Sequence, residues 1–198
     1  MKRLMCLILA LLLLAPCLAF CEEEEEIETI VTILPAPEQT KAERPPCFPD
    51  PADDYIPLPE SANLAQGKPA LSGKHADVYV IKNVNDGKTD TYWESLGCPA
   101  EVLFDLQGTF SVSTVAVCLN PSSIWEPRIQ EIAVQVSLNG ENFTEVAAPA
   151  KYQFDAATGN RIRIDFGAAQ AAFVKVIFTL NSASRSQGAQ AAEICIFE

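Results

Sequence analysis

Four short segments of this chain alternate apolar and polar residues and two more are apolar runs, and that pattern most narrows what it can fold into. Val102, Phe104 and Leu106 share one side of Glu101 to Leu106. Val112 to Leu119 repeats the pattern, as does the series Ile132, Val134, Val136, Leu138. Arg161 to Phe166 alternates cleanly, and Ile194 to Phe197 closes the chain. Successive side chains of a strand point to opposite faces, so each segment turns one face to a core. Phe173 to Leu180 is a nearly continuous apolar run, which predicts a strand buried on both faces. Gly, Asn and Pro fill the gaps, with Asn139-Gly140 the strongest turn signal. No long segment has a 3.6-residue period, and no internal repeat occurs. The expectation is an all-β sandwich.

The first sixty residues have a different character. Met1 to Cys21 reads as a leader, with Lys2 and Arg3 ahead of the apolar run Leu4 to Ala15. That run is shorter than a bilayer span and sits where a secretory signal sits. Two endings stay open: cleavage after Cys21, or a lipobox at Leu18-Ala19-Phe20-Cys21 in which Cys21 becomes the lipidated first residue. The chain is expected to be secreted or attached to a cell surface, with contact to a membrane only through such an anchor. Residues 22–61 read as an acidic, Pro-rich linker. The chain carries a formal charge of −12; the segment Glu22 to Glu60 holds −10 of it, the leader +2 and the rest only −4. Repelling charges and prolines favour an extended spacer, within which Ile27 to Leu34 has the composition of a short strand. The folded domain is expected over 62–198, as a monomer.

Seven cysteines are present, and Cys47, Cys98, Cys118 and Cys195 lie beyond the leader. Export would permit disulfides. If the strands around 101–106 and 112–119 form a hairpin about Gly108-Thr109, Cys98 and Cys118 face each other. The alternative is four reduced, mostly buried thiols. No C-x-x-C occurs, which removes support for zinc or thioredoxin-like chemistry.

The stretch Asn83 to Trp93, Asn-Val-Asn-Asp-Gly-Lys-Thr-Asp-Thr-Tyr-Trp, concentrates oxygen ligands on a tight turn. Ca²⁺ takes several carboxylate and carbonyl oxygens, and Asp86-Gly87 offers a carboxylate beside a residue that tolerates positive φ. The spacing is not that of an EF-hand. The bland reading is a surface turn ahead of core aromatics, and Trp93 itself reads as core.

Asn83 to Trp93 lies in order with Asn63 to Ala70, Val102 to Leu106 and Gln190 to Ile194. Together these segments resemble a discoidin-type domain, the coagulation factor 5/8 type C domain, and bacterial carbohydrate-binding modules of family 32. Trp125 to Ile132 and Tyr152 to Asn160 add to the likeness with modules carried by polysaccharide-degrading enzymes. The resemblance covers about 63–198 and implies an eight-stranded jelly-roll sandwich of the galactose-binding type. It also implies a structural Ca²⁺ site from the carbonyls of Asn83, Lys88 and Ala192, the Asp86 side chain, Thr91 and the Glu193 carboxylate. A hydrogen-bond network without metal is the alternative at that place.

Sugar recognition needs an aromatic platform and a few fixed polar groups. Trp125 and Arg128 follow the turn Asn120-Pro121-Ser122-Ser123 and are the leading ligand-binding candidates. Arg128 could equally serve as an ion-pair partner of Glu126 or Glu131. His75, Tyr79 and Arg185 complete the candidate set. His75 is the only histidine, no nucleophile elbow occurs, and neither a P-loop nor a Gly-rich dinucleotide motif is present. The acidic balance argues against nucleic acid. The expected function is non-catalytic binding of a polysaccharide or glycoconjugate. An adhesion domain for protein or phospholipid headgroups is the second reading, and a purely structural envelope domain the third.

Overall fold

The computed structural model of the chain describes residues 55–198. The leader, Cys47 and the strand expected at Ile27 to Leu34 lie outside the described residues. The described part is all-β, an eight-stranded sandwich. Its strands are β1 (Ala70–Ser72), β2 (Trp93–Glu94), β3 (Ala100–Cys118), β4 (Arg128–Ser137), β5 (Thr144–Phe154), β6 (Arg161–Asn181), β7 (Gln190–Ala191) and β8 (Glu193–Phe197).

Two long strands build both layers. β3 and β6 run antiparallel from Ala100↔Phe178 to Cys118↔Arg161, with register shifts between Asp105 and Phe110 and between Val112 and Thr114. Bulges bend a strand and raise its twist, which lets one strand serve two sheets. One half of β3 pairs β1, and the other half pairs β8. The C-terminal half of β6 continues into β4 and β5. The alternating residues meet between the layers: Val102, Phe104, Val174, Val176 and Phe178 from one, Val115, Val117, Ile162, Ile194 and Ile196 from the other, all buried. Trp93 is fully buried against Phe178, as a core residue.

Several expectations are corrected here. The segments 101–106 and 112–119 are not two arms of a hairpin but parts of one strand. Cys98 therefore lies just before the start of β3 and Cys118 at its end. At about 3.3 Å per residue they are far outside the roughly 4.4–6.8 Å between Cα atoms that a disulfide spans. Cys98, Cys118 and Cys195 are free thiols. Cys118 and Cys195 instead lie diagonally across β3 and β8 and hydrogen-bond to one another, which pulls the Cys118 thiol below its ordinary pKa. The 173–180 run is buried on one face only; Thr179 and Leu180 are exposed. β5 carries Pro149 and no clean alternation, and it lies at the edge of the sheet, where proline is tolerated.

The packed chain also reaches upstream of residue 62. The Ile56 amide donates to Thr158 O, and Leu58 packs on Ala116, Cys195 and Phe197. The Tyr55 ring lies over Gly159, where a Cβ would come within 2.6 Å of it, and under the Arg161 guanidinium at 4.6 Å. Asn63 and Leu64 then bond the free edge of β8 through Ile196. Residues 55–61 thus lie on the domain instead of continuing the spacer.

Candidate functional site

The loops at one end of the sandwich enclose an open cavity of about 560 Å³. Three stretches build it. The loop before β2 supplies Tyr79 and Tyr92, the loop between β3 and β4 supplies Ile124, Trp125 and Glu126, and the loop between β6 and β7 supplies Ala183, Arg185 and Ser186. Glu94, Arg128 and Gln190 line it from the strand ends.

Local sequence explains the placement. Asn120 Oδ1 accepts from the Ser122 amide, and Trp125 N donates to Ser122 O, so two consecutive turns bring Trp125 back over the start of β4. Ser182 clamps the other loop to β4: its hydroxyl accepts from Ile129 N at 2.8 Å, and its amide donates to Ile129 O. Asn181 Nδ2 closes that loop by donating to Gly188 O at 2.7 Å. Gly188 packs so closely on β2 that a Cβ would lie 1.9 Å from Ser95 O.

The aromatics form one connected wall. Tyr79 and Tyr92 stack at 4.1 Å, Tyr92 meets Trp125 edge-on at 4.8 Å, and the Arg128 guanidinium lies 4.9 Å from the Trp125 ring centre. Trp125 is half-buried, with its ring partly open. Burial and the neighbouring Tyr79 hydroxyl push the Tyr92 phenol well above its ordinary range, so it stays protonated at neutral pH. Arg128 is only 6% exposed. Burial lowers its pKa, and the acids Glu126 and Glu94 oppose that shift. An arginine nonetheless stays charged.

Gln190 holds this arrangement together. Gln130, fully buried, donates to Gln190 O and accepts from Gln190 N, both at 2.9 Å. The Gln190 side chain then accepts from Arg128 Nη1 and donates to Glu94 Oε2 at 2.9 Å. Arg128 Nε donates to the Glu126 carbonyl at 3.0 Å. Neither suggested ion pair forms: the Glu126 carboxylate bonds Ser184, and that of Glu131 bonds Thr179.

Of the ligand candidates, Trp125, Arg128, Tyr79 and Arg185 share the cavity. His75 does not; it is exposed and makes an isolated bridge with Ser95. Sequence reasoning missed Tyr92, Glu94, Ile124, Glu126, Ser186 and Gln190. A signal existed for two of them, because Tyr92 and Glu94 flank the inward-facing Trp93 and so share the opposite side of the strand.

The metal candidates gather at the Asp86-Gly87 turn, where Gly87 has φ of 83°. Asp86 accepts from Lys88 N at 3.0 Å and from Thr91 Oγ1 at 2.8 Å. Glu193 Oε1 accepts from Gly87 N at 2.7 Å and Lys88 N at 3.1 Å. Asn83 turns its amide to Tyr92 O, and Ala192 donates its amide to Cys118 O. Glu193 is 5% exposed. Burial raises its pKa, the two amides pull it down and the facing Asp86 raises it, so that it stands at about 7. Among the described residues no three His, Cys, Asp or Glu side chains converge as metal ligands. A cation here would rest on two carboxylates and neutral oxygens, a donor set that suits Ca²⁺ and not zinc. A desolvated carboxyl beside a second acid fits such an ion, which would neutralise both.

The antiparallel sandwich thus carries an aromatic, arginine-lined cavity among its end loops. The chain belongs to the F5/8 type C domain family, whose model matches residues 69–194. No curated protein matches it. Among solved structures it is similar to the CBM32 of AlyQ in complex with 4,5-unsaturated mannuronic acid, at 22% identity and TM-score 0.54, covering 66% of this chain and 94% of that one. A CBM32 module from Clostridium perfringens in complex with GalNAc-β-1,3-galactose matches at 20% identity and TM-score 0.57, covering 69% and 100%. A chitosan-binding module from Paenibacillus sp. IK-5 matches at 23% identity and TM-score 0.55, covering 70% and 100%. At these identities the likeness establishes the shared fold.

Proposed function

We propose that the domain binds glycan, without catalysis, in the cavity between Trp125, Tyr92 and Arg128. The observation that carries this reading is Arg128. Its guanidinium is buried, fixed by the Glu126 carbonyl and Gln190, and covered by the Trp125 ring, yet it lines an open cavity. A donor fork fixed before the ligand arrives loses little entropy on binding. Beside it, the aromatic wall offers apolar area to the CH faces of a sugar ring. The three related modules bound to or named for saccharides support the same class of ligand. Ca²⁺ at Asp86 and Glu193 has a structural role in this proposal. Export on the leader, with attachment through Cys21, belongs to it as well; radiolabelled palmitate incorporated into the wild type but not into Cys21→Ala would establish the anchor. Glycan-array binding followed by titration calorimetry tests the main reading. Saturable binding to at least one saccharide supports it, and no binding across the array refutes it.

One observation favours the adhesion reading. Ile124 is 86% exposed at the cavity rim, beside Trp125 and near Arg185. An apolar loop tip with basic neighbours is the form a headgroup-binding loop takes. Sedimentation with phosphatidylserine vesicles separates the two: vesicle binding by the wild type that is lost in Ile124→Ser supports the adhesion reading, and no vesicle binding by the wild type refutes it.

A further inference from the structure

The hydrogen-bonding capacity left open in the cavity is unbalanced. Both of its acids are already engaged. Glu94 accepts from Ser186 Oγ at 2.7 Å through one oxygen and from Gln190 Nε2 at 2.9 Å through the other. The Glu126 carboxylate accepts the Ser184 amide at 2.6 Å and the Ser184 hydroxyl, which lies 2.7 and 2.8 Å from its two oxygens. Both arginines are in the opposite condition. Arg128 reaches only neutral oxygens, those of the Glu126 carbonyl and the Gln190 amide, through Nε and Nη1. Among the described residues neither it nor Arg185 forms an ion pair. Arg185 is exposed and lines the same cavity.

Two positive and two negative side chains cancel in net charge, but both acids already accept neutral donors, whereas neither guanidinium group has an anionic partner. A ligand entering the cavity therefore meets mostly donors. A neutral sugar offers hydroxyls that both give and take hydrogen bonds. An amino sugar brings an ammonium that would have to share acids already accepting serine and glutamine donors. A carboxylate brings only acceptors, two oxygens in a plane, which is the partner a guanidinium fork matches best. We propose that this site selects a glycan bearing a carboxylate, a uronic-acid residue, with its carboxylate on Arg128 and Arg185 and its ring against Trp125. The proposal rests on the glycan-binding reading above and narrows it to one chemical class.

Matched probes test it. Tetramers of galacturonate, mannuronate and glucuronate are titrated in parallel with their carboxyl-reduced counterparts, which keep the sugar and lose the charge. A chitosan tetramer and a sulfated galactan tetramer complete the set. At least one uronate should bind about tenfold or more tighter than its reduced form, as expected for a charge-assisted pair. Arg185→Ala, an exposed change whose folding is checked by thermal unfolding, should narrow that ratio to threefold or less. Equal affinity for uronate and reduced forms overturns acid selection while leaving glycan binding standing. Equal affinity for sulfated galactan overturns carboxylate recognition in favour of general anion binding, and preference for chitosan reverses the sign of the argument. Failure of every saccharide, these and the neutral array alike, brings down the glycan reading itself.

Discussion

Replacing Trp125 by Ala separates a binding platform from a packing residue, and the structure sets the size of both effects. The ring is half-buried. It makes one edge-to-face contact with Tyr92 and one contact with the Arg128 guanidinium. The first is worth about 0.5–1.5 kcal/mol. The second is worth about 0.5–2 kcal/mol. Truncation should therefore destabilise the domain by about 2 kcal/mol, below the roughly 3–5 kcal/mol of a fully buried aromatic. For a domain of this size that lowers Tm by about 4–8 °C. Binding should suffer more in relative terms, because loss of a central aromatic removes about 2 kcal/mol or more, roughly thirtyfold in Kd. Thermal unfolding and glycan titration on one preparation give both numbers. Wild-type affinity in the folded variant would remove Trp125 from the site. A Tm loss well beyond 10 °C would make it a core residue, and an unchanged Tm would show that its contacts with Tyr92 and Arg128 carry no weight.

Metal-free protein should lose stability as pH rises. Folded Glu193 holds its proton up to about pH 7, against about 4.5 unfolded. Its contribution is therefore complete below the unfolded value and gone above the folded one, about 3 kcal/mol at most. Ca²⁺ should flatten that slope and raise Tm by mass action, and Glu193→Gln should abolish both effects. Melting curves at pH 5 and 8, in EDTA and in Ca²⁺, check this; identical curves in the two would end the metal proposal. A chain beginning at Tyr55 should keep the stability of the full chain. One beginning at Ala62 should lose about 2 kcal/mol from the Leu58 and Tyr55 contacts, and Cys195 should become open to maleimide under native conditions. Gly188→Ala should displace the 182–188 loop and weaken glycan binding, since its Cβ would lie 1.9 Å from the Ser95 carbonyl oxygen, a backbone atom that cannot swing aside; unchanged affinity would show that the loop position is immaterial.

The core was legible where burial and period coincide. Phe104, Val134 and Ile164 sit inside alternating runs, and each is buried as the pattern requires. The corners were not legible. Polar and small residues at Gln107 to Ser111 and at Gly167 to Gln170 look like loops between strands, yet β3 and β6 pass through both. A bulge changes register through backbone geometry and leaves no fixed composition behind. That hidden continuity made a Cys98–Cys118 hairpin look plausible. β5 escaped notice for another reason: an edge strand with a largely exposed outer face need not alternate. In the cavity, Trp125 and Arg128 stood out because an aromatic and a cation in a Pro/Ser loop have no core to serve. Ser184, Ser186 and Gln190 carry no such mark; their roles come from partners 58 to 96 residues away.

Gln190 and Glu193 show how the cavity and the Asp86 turn are linked. Three residues apart, they belong to different sites. Gln190 is clamped by Gln130 and sets both Arg128 and Glu94. Glu193 caps the Gly87 and Lys88 amides. Between them Ala191 pairs with Trp93, so β2 and β7 form a two-stranded ribbon with the cavity at its Glu94–Gln190 end. The Asp86 turn leads into β2, and Glu193 follows directly on β7. Tying Asp86 to Glu193 therefore fixes the two strands that present Glu94 and Gln190. The short ribbon has only two residue pairs of its own, too few to hold a register unaided. Its geometry depends on what lies at either end, Gln130 on one side and the Glu193 turn on the other. Precision in the cavity thus comes from a buried amide and a carboxylate that do not themselves line it.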